Sequence, residues 1–140
     1  EESRHNQHYW RTGSYLGLGA AAVGCLHAEA PGAEVQARRY RNHPDATRYM
    51  QRADTPNVEV FEERLTTQDV MREALMLGLR TREGLDLEGL KQRFGVSPLD
   101  GREKVVSRLE ARTRIARTDT RMFVPVERWL LLDGIVAELF

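Results

Sequence analysis

The sequence predicts an α+β chain made of two unequal parts, on three observations. The last 75 residues place apolar side chains at helical spacing. The first third holds a glycine-rich apolar run, Tyr15-Leu16-Gly17-Leu18-Gly19, that reads as a short buried strand. Near the C-terminus two short β-prone runs flank Thr118-Asp119-Thr120-Arg121, a turn of hairpin length. Composition agrees with a globular chain. It has 140 residues, 41% of them apolar, with 21 basic and 21 acidic side chains, and its mean hydropathy is −0.54. Zero net charge argues against a general nucleic-acid or membrane-surface binder. A single cysteine, Cys25, excludes an internal disulfide framework. It also excludes an iron–sulfur cluster held by this chain alone, since such a cluster needs about four ligands, usually thiolates. The longest weakly polar stretch, Tyr15 to Leu26, has 12 residues, where a membrane helix needs about 20. No signal peptide is visible, and the chain begins at Glu1 without an initiator Met, so a fragment of a longer protein is expected.

Taken in order, residues 1–14 are polar and aromatic and end in a turn signal, Thr12-Gly13-Ser14. After the glycine-rich run, Ala20 to Gly24 suits backbone packed close to a neighbour, Pro31-Gly32 is a loop, and Val35 to Arg41 is extended. Asn42-His43-Pro44-Asp45 turns into a short helix from about Asp45 to Arg52. Val58 to Leu65 reads as a strand or a linker. Thr66 or Thr67 N-caps a helix whose Val70, Met71, Ala74, Leu75, Gly78 and Leu79 share one apolar face. Gly84 ends that region. Asp86 caps a second helix with Leu87, Leu90 and Phe94 inward, stopped by Gly95. A third helix runs from about Pro98 or Asp100 to Arg112, with Val105, Val106 and Leu109 on one side. Strands follow at Arg114 to Arg117 and Met122 to Val126, and Pro125 points to an edge position for the second. Trp129, Leu130, Leu132, Ile135, Val136, Leu139 and Phe140 predict one closing amphipathic helix.

Three helices, a hairpin and a closing helix match a winged-helix arrangement. Residues 66–140 carry 13 basic and 12 acidic side chains. Within them, residues 98–121 hold seven basic (Arg102, Lys104, Arg108, Arg112, Arg114, Arg117, Arg121) against four acidic, where a DNA reader would want them. Arginine outnumbers lysine by 19 to 2 over the chain, so an arginine-rich face is background here, its stems covering apolar surface.

The most specific pattern is His5-Asn6-x-x-Tyr9-Trp10, followed by Tyr15-Leu16-Gly17-Leu18-Gly19-Ala20. With the runs Leu77-Gly78-Leu79-Arg80-Thr81-Arg82-Glu83-Gly84-Leu85-Asp86-Leu87 and Trp129-Leu130-Leu131-Leu132-Asp133-Gly134-Ile135, the chain resembles the oxygen-independent coproporphyrinogen III oxidase-like proteins. Within them it is most similar to the radical SAM haem chaperone branch. That resemblance implies a parent with an incomplete (β/α) barrel, followed by a linker and a winged-helix-like domain. In the parent a Cys-x-x-x-Cys-x-x-Cys motif holds a 4Fe-4S cluster that binds S-adenosylmethionine. Residues 1–53 would be the end of the barrel region, 54–65 the linker and 66–140 the C-terminal domain. The cluster motif is absent here, so this chain alone would not perform radical SAM chemistry.

The resemblance further implies a cytoplasmic protein of haem and porphyrin metabolism, serving haem binding and delivery or a coproporphyrinogen oxidase-like reaction. Its partners would be haem or a porphyrin, the missing N-terminal barrel part, and haem-receiving proteins. His5 would be the axial ligand of haem iron. Asn6 would orient it, and Tyr9 and Trp10 would lie against the porphyrin. Gly17 and Gly19 would allow close backbone approach beside a cofactor. One departure stands out: the family continues Gly-x-Gly-Ala-His, whereas Gly17 to Gly24 here contains no histidine and Val23 cannot replace one.

Blander readings stand beside these. His5, Tyr9 and Trp10 could form an aromatic corner, and His8 a solvated neighbour. A zinc site from His5, His8, Cys25 and His27 fits no compact module. Gly17 and Gly19 lack the third glycine of a dinucleotide fingerprint. Glu62-Glu63 gives no sign of an acid–base pair. A nucleic-acid-binding winged helix and an inert capping module are the competing classes.

Overall fold

The computed structural model describes residue 8 and residues 11–30, 33–55 and 59–140. These fall into two compact units, Gly13–Val70, and Met71–Phe140 together with Arg11 and Thr12.

The first unit is an antiparallel sheet of β1 (Val23–His27), β2 (Ala37–Asn42) and β3 (Glu59–Leu65), with β2 central. Among the described residues before 54 there is no parallel β-α pairing; β1 and β2 pair antiparallel from Val23↔Arg41 to His27↔Ala37. Within the 54–65 stretch, residues 59–65 ladder onto β2, with a bulge at Arg41/Asn42. Cys25, Ala37, Tyr40, Leu65 and Val70 are the buried apolar residues here. Gly24 faces Tyr40 across the ladder, and a Cβ on it would lie 2.2 Å from the phenol ring, so the missing side chain is the seat for Tyr40. The short helix α1 (Ala46–Arg52) starts where expected, with the Asp45 carboxylate accepting from Arg48 N at 2.8 Å.

The predicted buried strand at Tyr15 to Gly19 does not form. Tyr15 makes one isolated bridge to Cys25, and then the chain leaves the sheet, with Leu16 67% and Leu18 84% exposed. The physical reason is local. Gly19 (φ +103°) and Ala21 (φ +60°) break the extended backbone, and the Asn42 amide bonds the carbonyls of Gly17 and Gly19, both at 3.0 Å, in place of a ladder.

The helix α2 (Thr67–Gly78) begins in the first unit and continues as part of the second from Met71. Thr66 is its cap: Asp69 N donates to Thr66 Oγ1 at 3.3 Å, and Thr66 N donates back to the Asp69 carboxylate at 2.9 Å. The expected apolar face is buried, with Leu75 and Leu79 at 0% exposure. Thr81 Oγ1 then accepts from Gly84 N at 3.0 Å and donates to Gly78 O at 2.7 Å, closing a turn that Gly84 completes at φ +69°. Next come β4 (Leu85–Asp86) and α3 (Leu87–Phe94). Asp86 caps α3 through Gly89 N at 2.9 Å, and left-handed Gly95 ends it. The next helix, α4 (Glu103–Ala111), buries Val106 and Leu109, while Val105 is half-buried.

The hairpin strands β5 (Ala116–Arg117) and β6 (Arg121–Phe123) pair as expected, but β6 is not at the edge: the order is β4-β6-β5. The strand ends at Phe123, two residues before Pro125, so proline removes no ladder donor. The closing segment also differs from the expected single helix. A 3-10 helix (Val126–Leu131) precedes α5 (Leu132–Glu138). At about three residues per turn, against 3.6 in an α-helix, Leu130 rotates off the inward stripe and is fully exposed. Ile135, Val136 and Leu139 do pack inward, with Leu85, Phe94, Ile115, Met122 and Val124 buried in the same unit.

Candidate functional site

The second unit contains a cavity of about 380 Å³ between the end of α2, the Thr81–Gly84 turn, α3 and the start of β6, closed on one side by Arg11 and Thr12. Its walls are built by the local rules above. Ala74, Gly78, Leu85 and Leu90 supply apolar surface, and Asp86 and Gly89 are held by the α3 cap. Gly78 lacks a side chain because a Cβ there would sit 2.5 Å from the Leu85 methyl.

Three guanidinium groups surround this cavity. Arg93, in the last turn of α3, donates to Thr12 Oγ1 at 2.8 Å and to Thr12 O at 3.0 Å, and its Cζ lies 5.0 Å from the Phe94 ring centroid. Thr12 is 6% exposed and holds a left-handed backbone at φ +53°, a conformation that needs support from outside the residue. Arg11 pairs with Glu83 at 2.9 Å, and Arg121 donates to the Glu83 carbonyl at 3.4 Å. Three guanidinium groups against two carboxylates, Glu83 and Asp86, leave the lining with a formal charge of +1. The arrangement suits binding of an anion next to an apolar wall. Both wall hydroxyls have partners: Thr12 donates to Arg11 O at 2.7 Å and accepts from Arg93, and Thr81 holds its own turn.

Of the residues singled out from sequence, His5, Asn6, Tyr9 and Trp10 lie outside the described residues. Arg11, the first cavity residue, is bonded directly to Trp10. His8 is exposed. Gly17 and Gly19 fall in the first unit and differ from each other. A Cβ on Gly17 would lie 2.5 Å from the Val23 backbone, so its close approach is to the protein's own chain, whereas one on Gly19 would meet open space. The amides of both donate to phenol oxygens at 3.1 Å, Gly17 to Tyr40 and Gly19 to Tyr49. Val23, at the start of β1, is 40% exposed.

Of the four zinc candidates, Cys25 and His27 are in contact, Sγ to Nε2 at 3.8 Å, with Cys25 buried. No group of three metal-ligating side chains occurs among the described residues. Glu62 and Glu63 are surface partners of Arg38, Arg64 and Arg39. The Arg64 guanidinium hydrogen-bonded to Glu62 holds that carboxyl below its ordinary value; partial desolvation opposes this and Arg38 adds to it.

Of the seven basic residues on the third helix and hairpin, three make ion pairs among the described residues. Arg108 and Arg114 both reach Glu138, Arg117 reaches Glu110 at 3.1 Å, and Arg102 donates to Leu139 O at 3.2 Å. Residue type alone does not single out Arg11 or Arg93, and Arg121 stands out only within the basic hairpin, because 19 arginines in one chain mask any three. The available signal was Arg11, which directly follows the aromatic motif.

Residues 65–131 match the HemN C-terminal domain family. Together with the relatives that follow, this match fits a C-terminal fragment of a HemW-type protein. The heme chaperone HemW of Lactococcus lactis subsp. lactis (strain IL1403) is 32% identical over 96 residues, 69% of this chain and 23% of that protein. The coproporphyrinogen III oxidase HemN of Escherichia coli, described as a radical SAM enzyme, superposes on 91% of this chain with a TM-score of 0.60 at 18% identity, a likeness of fold. The chain spans about a quarter of the length of either relative. No described helix is long and apolar enough to cross a membrane.

Proposed function

We propose that this chain is the C-terminal portion of a cytoplasmic radical SAM protein that binds haem and delivers it to recipient proteins. Residues 1–53 would close the barrel region, residues 54–65 would lead out of it through the strand β3, and residues 66–140 would form a winged-helix-like cap. The observation that carries the reading is the His5-Asn6-x-x-Tyr9-Trp10 pattern, followed in sequence by Arg11 of the arginine-rimmed cavity, in a chain 32% identical to a heme chaperone over 96 residues.

In this reading His5 ligates haem iron, Asn6 orients it, and Tyr9 and Trp10 cover the ring. Gly17 lets the first-unit loop lie against the Val23 backbone. A cationic rim beside an apolar wall fits a haem, which joins a large apolar ring to two carboxylates. The 4Fe-4S cluster and S-adenosylmethionine do not fit this chain, whose one cysteine is buried; they belong to the part of such proteins that precedes it.

Titrating haem into the protein and following the absorbance band of the bound form tests the proposal. Saturable binding is expected. His5→Ala should change the spectrum and weaken binding at least tenfold, about 1.4 kcal/mol. If His5→Ala binds haem with unchanged spectrum and affinity, His5 is not the ligand.

A further inference from the structure

We propose that Arg11 and Arg121, converging on Glu83 at the rim of the second-unit cavity, form a receptor for a propionate carboxylate of the bound porphyrin. The inference rests on the haem-binding reading and adds a second point of attachment to it, on the C-terminal domain.

Four observations combine. First, the two guanidinium groups come from segments 110 residues apart in sequence yet meet on one residue, Arg11 on the Glu83 carboxylate at 2.9 Å and Arg121 on its carbonyl at 3.4 Å. Two planar forks at one place suit a carboxylate, which each can bond bidentately.

Second, the existing partner is exchangeable. The Arg11 and Glu83 side chains are 61% and 58% exposed, and an ion pair in water at that exposure contributes little. Among the described residues the Arg121 guanidinium makes one long bond, to a neutral carbonyl, so an incoming carboxylate gains a charged partner there.

Third, Arg11 is pre-positioned. Its neighbour Thr12 is clamped by the two Arg93 bonds, so part of the entropy of placing Arg11 is spent in folding and not in binding.

Fourth, the wall behind the rim is apolar, with Leu85 buried and Leu90 half-buried. That surface disfavours a small hydrated anion and favours a carboxylate carried on a hydrophobic body. Arg11 is bonded to Trp10 of the aromatic motif, so both proposed contacts belong to one continuous stretch of chain.

The test compares haem with haem dimethyl ester, whose propionates are neutral, on the wild-type chain, Arg121→Gln, Arg121→Lys and Glu83→Gln. The Arg121 side-chain bond to the Glu83 carbonyl is exposed, and melting curves check that its variants fold. Wild type is expected to bind the ester about tenfold more weakly than haem, the loss of one charge-assisted pair. Arg121→Gln should lose about the same factor for haem and almost nothing for the ester, and Arg121→Lys should recover part of it. Glu83→Gln, which removes the competing carboxylate, should tighten haem binding. Free acetate at millimolar concentration should not displace haem; displacement would mean a general anion site and would overturn the proposal. Equal affinity of wild type for haem and its ester, or an Arg121→Gln chain that still discriminates between them, would also overturn it while leaving the haem reading intact. Failure of wild type to bind either compound would overturn both.

Discussion

The two units solve the stability problem differently. In Met71–Phe140 the buried residues are large and apolar, with Leu75, Leu79, Leu109, Met122 and Ile135 all below 2% exposure. In Gly13–Val70 few apolar side chains are buried, and Leu16, Leu18, Met50, Val60 and Phe61 stand exposed. What orders that unit is directional. Asn42, Tyr40 and Tyr49 hydrogen-bond the backbone of Gly17 and Gly19, and arginine–glutamate pairs run across β2 and β3. Burial of a Leu-sized side chain is worth about 1.5–3 kcal/mol, whereas a hydrogen bond nets about 1 and an exposed ion pair less. The second unit therefore holds most of the chain's resistance to unfolding, and the first holds its shape at lower energy.

The largest expected effect breaks the apolar side of this comparison. Leu109→Ala, in a helix face at 0% exposure, should cost about 2–5 kcal/mol through lost transfer energy and a residual cavity. Denaturant unfolding measures it, and hydrogen exchange should show lost protection concentrated in 71–140. A cost below about 1 kcal/mol would mean that the site collapses freely and that the second unit is not close-packed.

A smaller loss is expected at the turn beside the cavity. Gly84 combines φ +69° with a Cβ position 2.3 Å from Met122 O and 2.5 Å from Phe123 Cβ. Gly84→Ala must meet both left-handed strain and a backbone clash, for roughly 2–4 kcal/mol. Gly95→Ala, at φ +73° with open space around the Cβ, isolates the strain alone at about 1 kcal/mol. Melting the pair side by side separates the two terms.

These positions also show what was legible in the sequence. The caps at Asp45, Thr66 and Asp86, the stop at Gly95 and the α2 face are local chemistry with fixed offsets, and each appears where its residues stand. The misreadings were non-local. Tyr15 to Gly19 had the apolarity of a strand, but Asn42, some 25 positions away, takes the carbonyls that a ladder would have used. Pro125 pointed to an edge because nothing local revealed that β4, two residues long, would pair with β6. Leu130 kept helical spacing while the backbone tightened into a 3-10 turn. The cavity was illegible for the same reason: Arg11, Arg93 and Arg121 meet only after α3 and the hairpin are folded, and no spacing encodes that.

On the directional side, Tyr40→Phe keeps the ring against Gly24 and removes only the oxygen that accepts from Gly17 N at 3.1 Å. The cost should be about 1 kcal/mol, with faster exchange at the Gly17 amide and an unchanged ladder. A cost like that of Leu109→Ala would mean that this hydrogen bond belongs to a cooperative network and not to a single clamp.

The smallest effect lies at the sheet surface. The Glu62 carboxyl is held low by the Arg64 guanidinium first and by Arg38 after it. A carboxyl whose folded value lies below its unfolded one contributes stability that is fully present above the unfolded value near 4.5 and is lost as pH falls through the folded value. Acidification below about pH 4.5 should therefore loosen β3 slightly, and Glu62→Gln should abolish that part of the pH dependence while leaving neutral-pH stability almost unchanged. Carboxyl-carbon NMR titration reads the midpoint directly. In Arg64→Gln the midpoint should rise toward the ordinary glutamate value. If it does not move, the hydrogen bond between these neighbours is too dilute in water to count, and the directional ordering of the first unit rests on the Asn42 and tyrosine clamps alone.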